Sequence, residues 1–404
     1  MQANLDSPDA LSAAAALRRQ WGLAAVLAGL SLAGTALALA YSWAPVYALR
    51  WLPLPALGMI YMLAVLWRGL PANRRAENTA LLPTLGWGNA LTALRGGLTA
   101  LLAGFLLLPR PSGWLAWAPG VLYTLVCLTD FFDGYVARRT RHVTRLGELL
   151  DMSFDGLGVL VAATLAVLYR QVPPWYLLVG LARYLYIAGL WARRRLGWPI
   201  HDLPPSLSRR VFAGLQMGFL AVILWPLFAP PGAWLAAALF GLPLLLGFGR
   251  DWLYTIGWLR PHRQPGEQTG WVDRWLPVGL RVAAVLLNLG PFARWLAEFP
   301  GPTPAQALLG LVNFLVVLLL ALGILPHVSA GFALGFLGFY QMLAPLTPAQ
   351  VALAVIYTLL LYMGGGALCL WAPEHVLYRR RAGEPADASQ PEPASAKRAH
   401  AEGA

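Results

Sequence analysis

Twelve apolar runs follow one another along this chain, at residues 21–40, 46–67, 85–108, 114–138, 147–169, 175–192, 211–228, 234–259, 276–289, 305–325, 328–343 and 349–371. Most come near the roughly 20 residues that an α-helix needs to cross a bilayer core about 30 Å thick. Backbone N–H and C=O groups find no water in lipid, so such runs must bond internally as helices. The expected fold class is therefore an all-α polytopic membrane protein of roughly twelve helices. Composition agrees: 58% of residues are hydrophobic, 12% are charged, 18 are Trp, and mean hydropathy is +0.58. These values exclude a soluble globular domain, a disordered chain and a secreted disulfide scaffold. The lipid bilayer is the expected partner.

The formal charge of +12 would suggest nucleic acid if the basic residues were spread over a surface. They are not. The single lysine is Lys397, and the arginines gather in alternate connections: Arg18/Arg19, Arg74/Arg75, Arg138–Arg145, Arg193–Arg195 with Arg209/Arg210, the stretch 260–274, and Arg379–Arg381. That alternation is the positive-inside pattern, and it places both termini in the cytoplasm. No nucleic-acid partner is expected, and the location expected is the inner (cytoplasmic) membrane. Six histidines show no ligand spacing, and Cys127 and Cys369 lie in apolar runs, so neither a zinc site nor a disulfide is implied. Two echoes, Thr303-Pro304-Ala305-Gln306 and Thr347-Pro348-Ala349-Gln350, read as capping boxes at helix starts.

Chemistry concentrates in one window. Asp130, Asp133, Glu148, Asp151 and Asp155 fall where two apolar runs meet, and ionisable groups in a membrane are expensive enough to be functional by default. Asp130, Asp133, Gly134, Ala137 and Arg138 share one helical face, as do Gly147, Asp151 and Asp155. The short turn 139–146 makes the two helices antiparallel neighbours, so the aspartate faces can converge. Four carboxylates in an apolar site cannot all stay ionised alone, and a pair of divalent cations resolves the conflict. Oxygen-only donors suit Mg²⁺, Mn²⁺ or Ca²⁺, and two such cations about 4 Å apart clamp a phosphoryl group. Gly134, Ala137 and Gly147 are small enough either to admit a ligand or to let helices pack closely. Glu148 is expected to face water.

The string Asp130-x2-Asp133-Gly134-x2-Ala137-Arg138-x8-Gly147-x3-Asp151-x3-Asp155 resembles the signature of the CDP-alcohol phosphotransferase family at all eight positions. Asn89-x2-Thr92-x2-Arg95 resembles the pattern that opens the family's first core helix, and Arg183, Arg210, Gln216 and Gly249-Arg250-Asp251 offer a weaker downstream likeness. The resemblance covers roughly residues 80–260. It implies a core at 79–262 with six helices, preceded by a tail and two transmembrane helices (1–78). A four-helix membrane domain (263–372), faintly DoxX-like, and a disordered cytoplasmic tail (373–404) would follow.

The same resemblance implies residue roles. Asp130, Asp133, Asp151 and Asp155 would hold two divalent cations, Mg²⁺ or Mn²⁺, with Asp155 also the general base. Asn89, Thr92, Gly134, Ala137, Arg138 and Gly147 would line a nucleotide pocket, and Arg183, Arg209 and Arg210 are weaker candidates for the acceptor. The implied reaction transfers a substituted phosphate from a CDP-lipid donor to an alcohol, such as glycerol 3-phosphate or inositol phosphate. It releases CMP at the cytoplasmic face, in phospholipid biosynthesis. A soluble CDP-alcohol with a diacylglycerol acceptor is the in-class rival. A cation-coupled transporter is the rival from another class, disfavoured because the acids occupy one hairpin and not two matching halves. The first two spans are candidates for packing round the core or for a homodimer contact.

Overall fold

A computed structural model describes residues 8–75, 80–203, 207–228, 230, 232–259, 271–297, 304–340 and 347–372. Among them the chain is helical, with no strand beyond an isolated bridge between Ile324 and Trp371. The α-helices in order are α1 (Pro8–Ser42), α2 (Pro45–Trp51), α3 (Pro53–Gly69), α4 (Gly86–Ala103), α5 (Ala118–Arg139), α6 (Arg145–Leu168) and α7 (Leu177–Arg195). There follow α8 (Leu207–Ile223), α9 (Gly232–Thr255), α10 (Trp271–Ala297), α11 (Pro304–Leu322), α12 (Pro326–Tyr340) and α13 (Pro348–Met363).

Among the described residues, 8 helical segments are long and apolar enough to span a bilayer, so this is an integral multi-pass membrane protein. Seven lie between Leu11 and Thr255, and the eighth is Arg274–Ala297. Three more of the twelve expected runs carry shorter apolar helices among the described residues, Phe212–Ile223, Ala307–Leu322 and Pro348–Met363. The run 211–228 yields a helix that stops at Ile223, shortly before Pro226. The run 349–371 yields only the 16 residues of α13, because Gly364 (φ +79°) and Gly366 (φ +73°) turn the backbone into a region that ends helices. At 1.5 Å per residue that helix is about 24 Å long, short of the hydrocarbon thickness. The capping box at Thr347 and Gln350 is present. Its echo at Thr303 and the proposed tail 373–404 lie outside the described residues.

The described helices fall in two compact units, divided near residue 260, with residues 205–211 grouped in the second. In the first, α4 is the central helix, packed against α3, α5 and α6. Small residues set these approaches. A Cβ on Gly88 would lie 2.7 Å from the Ala137 Cβ, and one on Gly58 would lie 2.6 Å from the Ala100 Cβ. In lipid, where apolar burial gives little drive, such backbone proximity supplies the dispersion contact that holds helices together. Leu66, Leu146, Leu150 and Phe154 fill the interior where α3 meets α6.

In the second unit Arg281, buried on α10, donates from Nε to the Leu320 carbonyl (2.8 Å) and from Nη1 to Gly365 (2.9 Å) and Leu368 (2.6 Å). It also donates from Nη2 to the Ala321 carbonyl. It thus closes the C-terminal end of α11 and the glycine turn after α13, where a cation is favoured by the helix dipole.

Replacing Gly88 by Val forces α4 and α5 apart and is expected to destabilise the protein by about 1–3 kcal/mol. The check is a fall in the melting temperature of the detergent-solubilised protein. Gly29→Ala, at a position with nothing within 4 Å of the added atom, should not lower it.

Candidate metal centre and active site

The site begins with where helices start. Thr144 N-caps α6, its hydroxyl accepting the Gly147 N–H at 3.1 Å. That same hydroxyl accepts from Asn89 Nδ2 at 3.0 Å, tying the start of α6 to α4. Asn89 also donates to Asn73 Oδ1 (3.2 Å), and Asn73, fully buried, donates to the carbonyls of Leu82 (3.0 Å) and Thr84 (2.8 Å). Gln20 of α1 completes the frame, accepting from the Leu85 N–H at 2.9 Å and donating to the Pro83 carbonyl at 2.9 Å. The polar ends of α4 and α6 are thereby fixed relative to each other, with the donors and acceptors of a buried network satisfied.

One and two turns along α4 from Asn89, the same face carries Thr92 and Arg95, both buried. Arg95 is the centre of the site. Its Nη1 pairs with Asp130 Oδ1 and lies 3.0 Å from Asp155 Oδ1, and its Nη2 lies 2.7 Å from Asp151 Oδ1. Asp133 stands slightly apart, with Oδ2 4.0 Å from Arg95 Nη1. It accepts instead from the Thr92 hydroxyl at 2.9 Å and from the Gly134 N–H. On the far side, Arg183 of α7 brings Nη1 to 3.5 Å from Asp155 Oδ2 and donates from Nη2 to the Met152 carbonyl at 3.2 Å. The cluster is graded in depth: the Arg95 side chain is 2% exposed, that of Asp151 50%. Arg95 and the buried Asp133 form the floor, and Asp130, Asp151 and Asp155 the open mouth.

Asp130, Asp151 and Asp155 each offer an oxygen within 4.8 Å of the others. These oxygens already converge on a cation, the guanidinium, and four carboxylates face two arginines, leaving an excess of negative charge. An all-oxygen set with surplus negative charge fits a hard divalent cation. Glu148 is exposed and outside this group.

The small residues divide by what fills the space beside them. The room beside Ala137 is taken by Gly88, and a Cβ on Gly147 would lie 2.7 Å from Asn89 Oδ1. Both small side chains thus also serve close packing between α4 and its neighbours. Gly134 differs: the three atoms nearest its absent Cβ all belong to the long side chain of Arg138, whose Nη1 folds back to 3.1 Å. Arg209 is half-buried in the first turn of α8, in the segment grouped with the second unit, and the Arg210 side chain lies outside the described residues. Gln216 is buried with both amide atoms unpartnered, and Arg250 pairs with its neighbour Asp251 at 3.3 Å.

The residue that sequence reasoning left without a role is Arg95. Its signal was present: an arginine in the middle of an apolar run, where a charge needs a partner. Its partners lie 35 to 60 positions away in sequence, so spacing alone could not name them.

Residues 85–247 match the family model described as CDP-alcohol phosphatidyltransferase. A CDP-diacylglycerol–glycerol-3-phosphate 3-phosphatidyltransferase of Cereibacter sphaeroides is 35% identical over 111 residues, 25% of this chain and 47% of that protein. The enzyme of the same name from Bacillus subtilis is 34% identical over 73 residues, 18% of this chain and 38% of its own. A cardiolipin synthase (CMP-forming) of Streptomyces coelicolor is 32% identical over 141 residues, 33% and 59% of the two chains. The chain thus spans about half the length of the curated relatives it matches. No solved structure matches significantly.

Asn73 and Gln20 lie before the matched region, yet they hold its first helix in place. Asn73→Ala would strand the part-buried carbonyls of Leu82 and Thr84 and remove one of the three acceptors of Asn89 Nδ2, and is expected to cost about 1–3 kcal/mol. The check is a lowered melting temperature, against little change for Arg50→Ala on the exposed surface.

Proposed function

We propose that this chain, whose residues 85–247 match the CDP-alcohol phosphatidyltransferase family model, transfers a phosphatidyl group from a CDP-linked lipid to a hydroxyl of a polyol phosphate, releasing CMP. The observation that carries the reading is the convergence of Asp130, Asp151 and Asp155 on one cation position between two apolar helices. No structural need explains three carboxylates gathered in such a place, whereas phosphoryl transfer needs concentrated positive charge there.

In this reading Asp130, Asp133, Asp151 and Asp155 hold two divalent cations, Mg²⁺ or Mn²⁺. When bound, these neutralise the diphosphate oxygens and stabilise the charge that develops on the transferring phosphate and on CMP. Asp155 accepts the proton of the acceptor hydroxyl as its oxygen attacks phosphorus and the bond to CMP breaks. Its position suits the task, because it lies at the open side and the hydroxyl of a polar acceptor can reach it. Arg183 stands beside it, half-exposed, and supplies a cation for the acceptor's own phosphate. One small polyol phosphate can therefore present its hydroxyl to Asp155 and its phosphate to Arg183. Arg138, folded back over Gly134, would meet the diphosphate, with Asn89, Thr92, Ala137 and Gly147 framing the nucleotide pocket. The names of the relatives from Cereibacter sphaeroides and Bacillus subtilis point to the same donor and to glycerol 3-phosphate as acceptor.

The turn between α5 and α6 carries Arg138, Arg139, Arg141 and Arg145. The positive-inside pattern puts that turn, the site mouth and both termini in the cytoplasm, with the protein in the inner membrane. Residues 263–372 are an accessory membrane domain in this scheme, and the N-terminal spans belong with the catalytic core.

The test is CMP release by the detergent-purified protein with CDP-diacylglycerol, Mn²⁺ or Mg²⁺, and glycerol 3-phosphate or an inositol phosphate. Metal- and acceptor-dependent release is expected, with kcat for Asp155→Asn reduced by about 10²–10⁴. Near-normal release by that variant removes Asp155 as the base. Absence of release with every phosphorylated acceptor overturns the acceptor class.

A further inference from the structure

Arg95 stands at the one position on which Asp130, Asp151 and Asp155 converge, and it engages an oxygen of each. A divalent cation binds carboxylate oxygens at about 2.0–2.6 Å, so an oxygen turned fully to a guanidinium is withheld from it. The two cations therefore compete for the same donors.

The structure also offers the arginine somewhere else to go. Arg95 Nε is buried without a partner, although the other two nitrogens of the group are engaged. One turn deeper along α4, the Thr99 hydroxyl is likewise buried and unpartnered, and the ring of Tyr123 of α5, whose hydroxyl meets Cys127, closes the space beyond it. A helical Thr ordinarily returns its hydroxyl to the carbonyl four residues back, which here would be that of Arg95. Thr99 does not. Both residues flank Gly158: a Cβ there would meet Thr99 Oγ1 at 3.6 Å and Tyr123 Cε2 at 3.9 Å. An unsatisfied buried hydroxyl is rare enough to require a reason. An acceptor one turn from a donor-rich side chain supplies one.

We propose that Arg95 is the resident counter-cation of the aspartate site: it holds the carboxylates together before a divalent cation binds and withdraws towards Thr99 when the cation takes them. The inference rests on the cation site of the preceding reading and adds an occupant that must leave. Without such a group, four carboxylates would repel one another in an apolar bundle before any metal arrived. With it, the bundle can fold and insert metal-free, and metal binding is weakened by the work of moving the guanidinium.

The experiment measures Mn²⁺ affinity by the loss of the free-ion paramagnetic resonance signal, and melting temperature with and without Mn²⁺, on the full-length protein in detergent. Arg95→Gln is expected to bind Mn²⁺ about tenfold or more tightly than wild type. Its metal-free melting temperature should fall, and its gain on adding Mn²⁺ should exceed that of wild type. Arg95→Lys keeps the charge but cannot span three carboxylates, so its affinity should lie between the two. Thr99→Val, which removes the inner seat, should weaken Mn²⁺ binding about threefold without lowering the metal-free melting temperature.

If wild type binds Mn²⁺ and Arg95→Gln binds it equally or more weakly, Arg95 is a fixed support and the proposal falls. Should Arg95→Gln fail to fold, unchanged affinity in both Arg95→Lys and Thr99→Val overturns it as well. Absence of Mn²⁺ binding to wild type would remove the cation site itself, and the metal-dependent reading with it.

Discussion

The cluster of Arg95 with Asp130, Asp151 and Asp155 is the interaction around which the first unit is arranged, because an apolar helix bundle can contain four carboxylates only if something answers their charge. The answer comes from a third helix. Asp130 and Asp133 belong to α5, Asp151 and Asp155 to α6, and the guanidinium reaches them from α4. That requirement makes α4 central. It explains why Asn73, Asn89 and Thr144 fix its polar end against α6, and why Gly88 brings it so near to α5. The network and the close packing are the means by which a 2% exposed arginine is delivered beneath a half-exposed aspartate.

Much of this was legible in the residues. The aspartate spacings fix one face on each of two helices, and the short turn between them fixes their antiparallel relation, so their convergence followed. The part that was not legible depends on what fills space. Ala137 and Gly147 have the same small size as Gly134, and sequence alone allows all three to serve a ligand. In the structure the space beside Ala137 holds Gly88 and that beside Gly147 holds Asn89, while the nearest neighbour of Gly134 is the movable end of Arg138. Chain length misled in a similar way. Hydropathy runs on through residues 349–371, but hydropathy does not register that Gly364 and Gly366 take positive φ. Residue size and polarity are local; occupancy and backbone direction are tertiary.

The matched segment and the structural unit also have different edges. The family model begins at residue 85. The hydrogen bonds that seat α4 begin at Gln20 and Asn73, and the core that backs α6 includes Leu17, Met59, Met62 and Leu66 from α1 and α3. A unit cut at residue 85 would expose that core, leave the Leu85 N–H without Gln20 and remove Asn73 from the Asn89 amide. The first helices are part of the frame of the site, a point that no motif within them announces.

Two buried arginines show what kind of frame this is. Arg281 spends its donors on the backbone carbonyls of Leu320, Ala321, Gly365 and Leu368. Carbonyls bound to the helix ends they close cannot be offered to another cation without unwinding the chain, so that arginine is a permanent fastening. Arg95 spends its donors on carboxylate side chains that keep one face towards the open mouth. Side chains can change partners by rotating about a few bonds, and a divalent cation is a stronger partner for them than a guanidinium that other acceptors can satisfy. The same residue type, equally buried, is thus a lock in one unit and a replaceable occupant in the other, and the difference lies in whether its acceptors belong to the backbone.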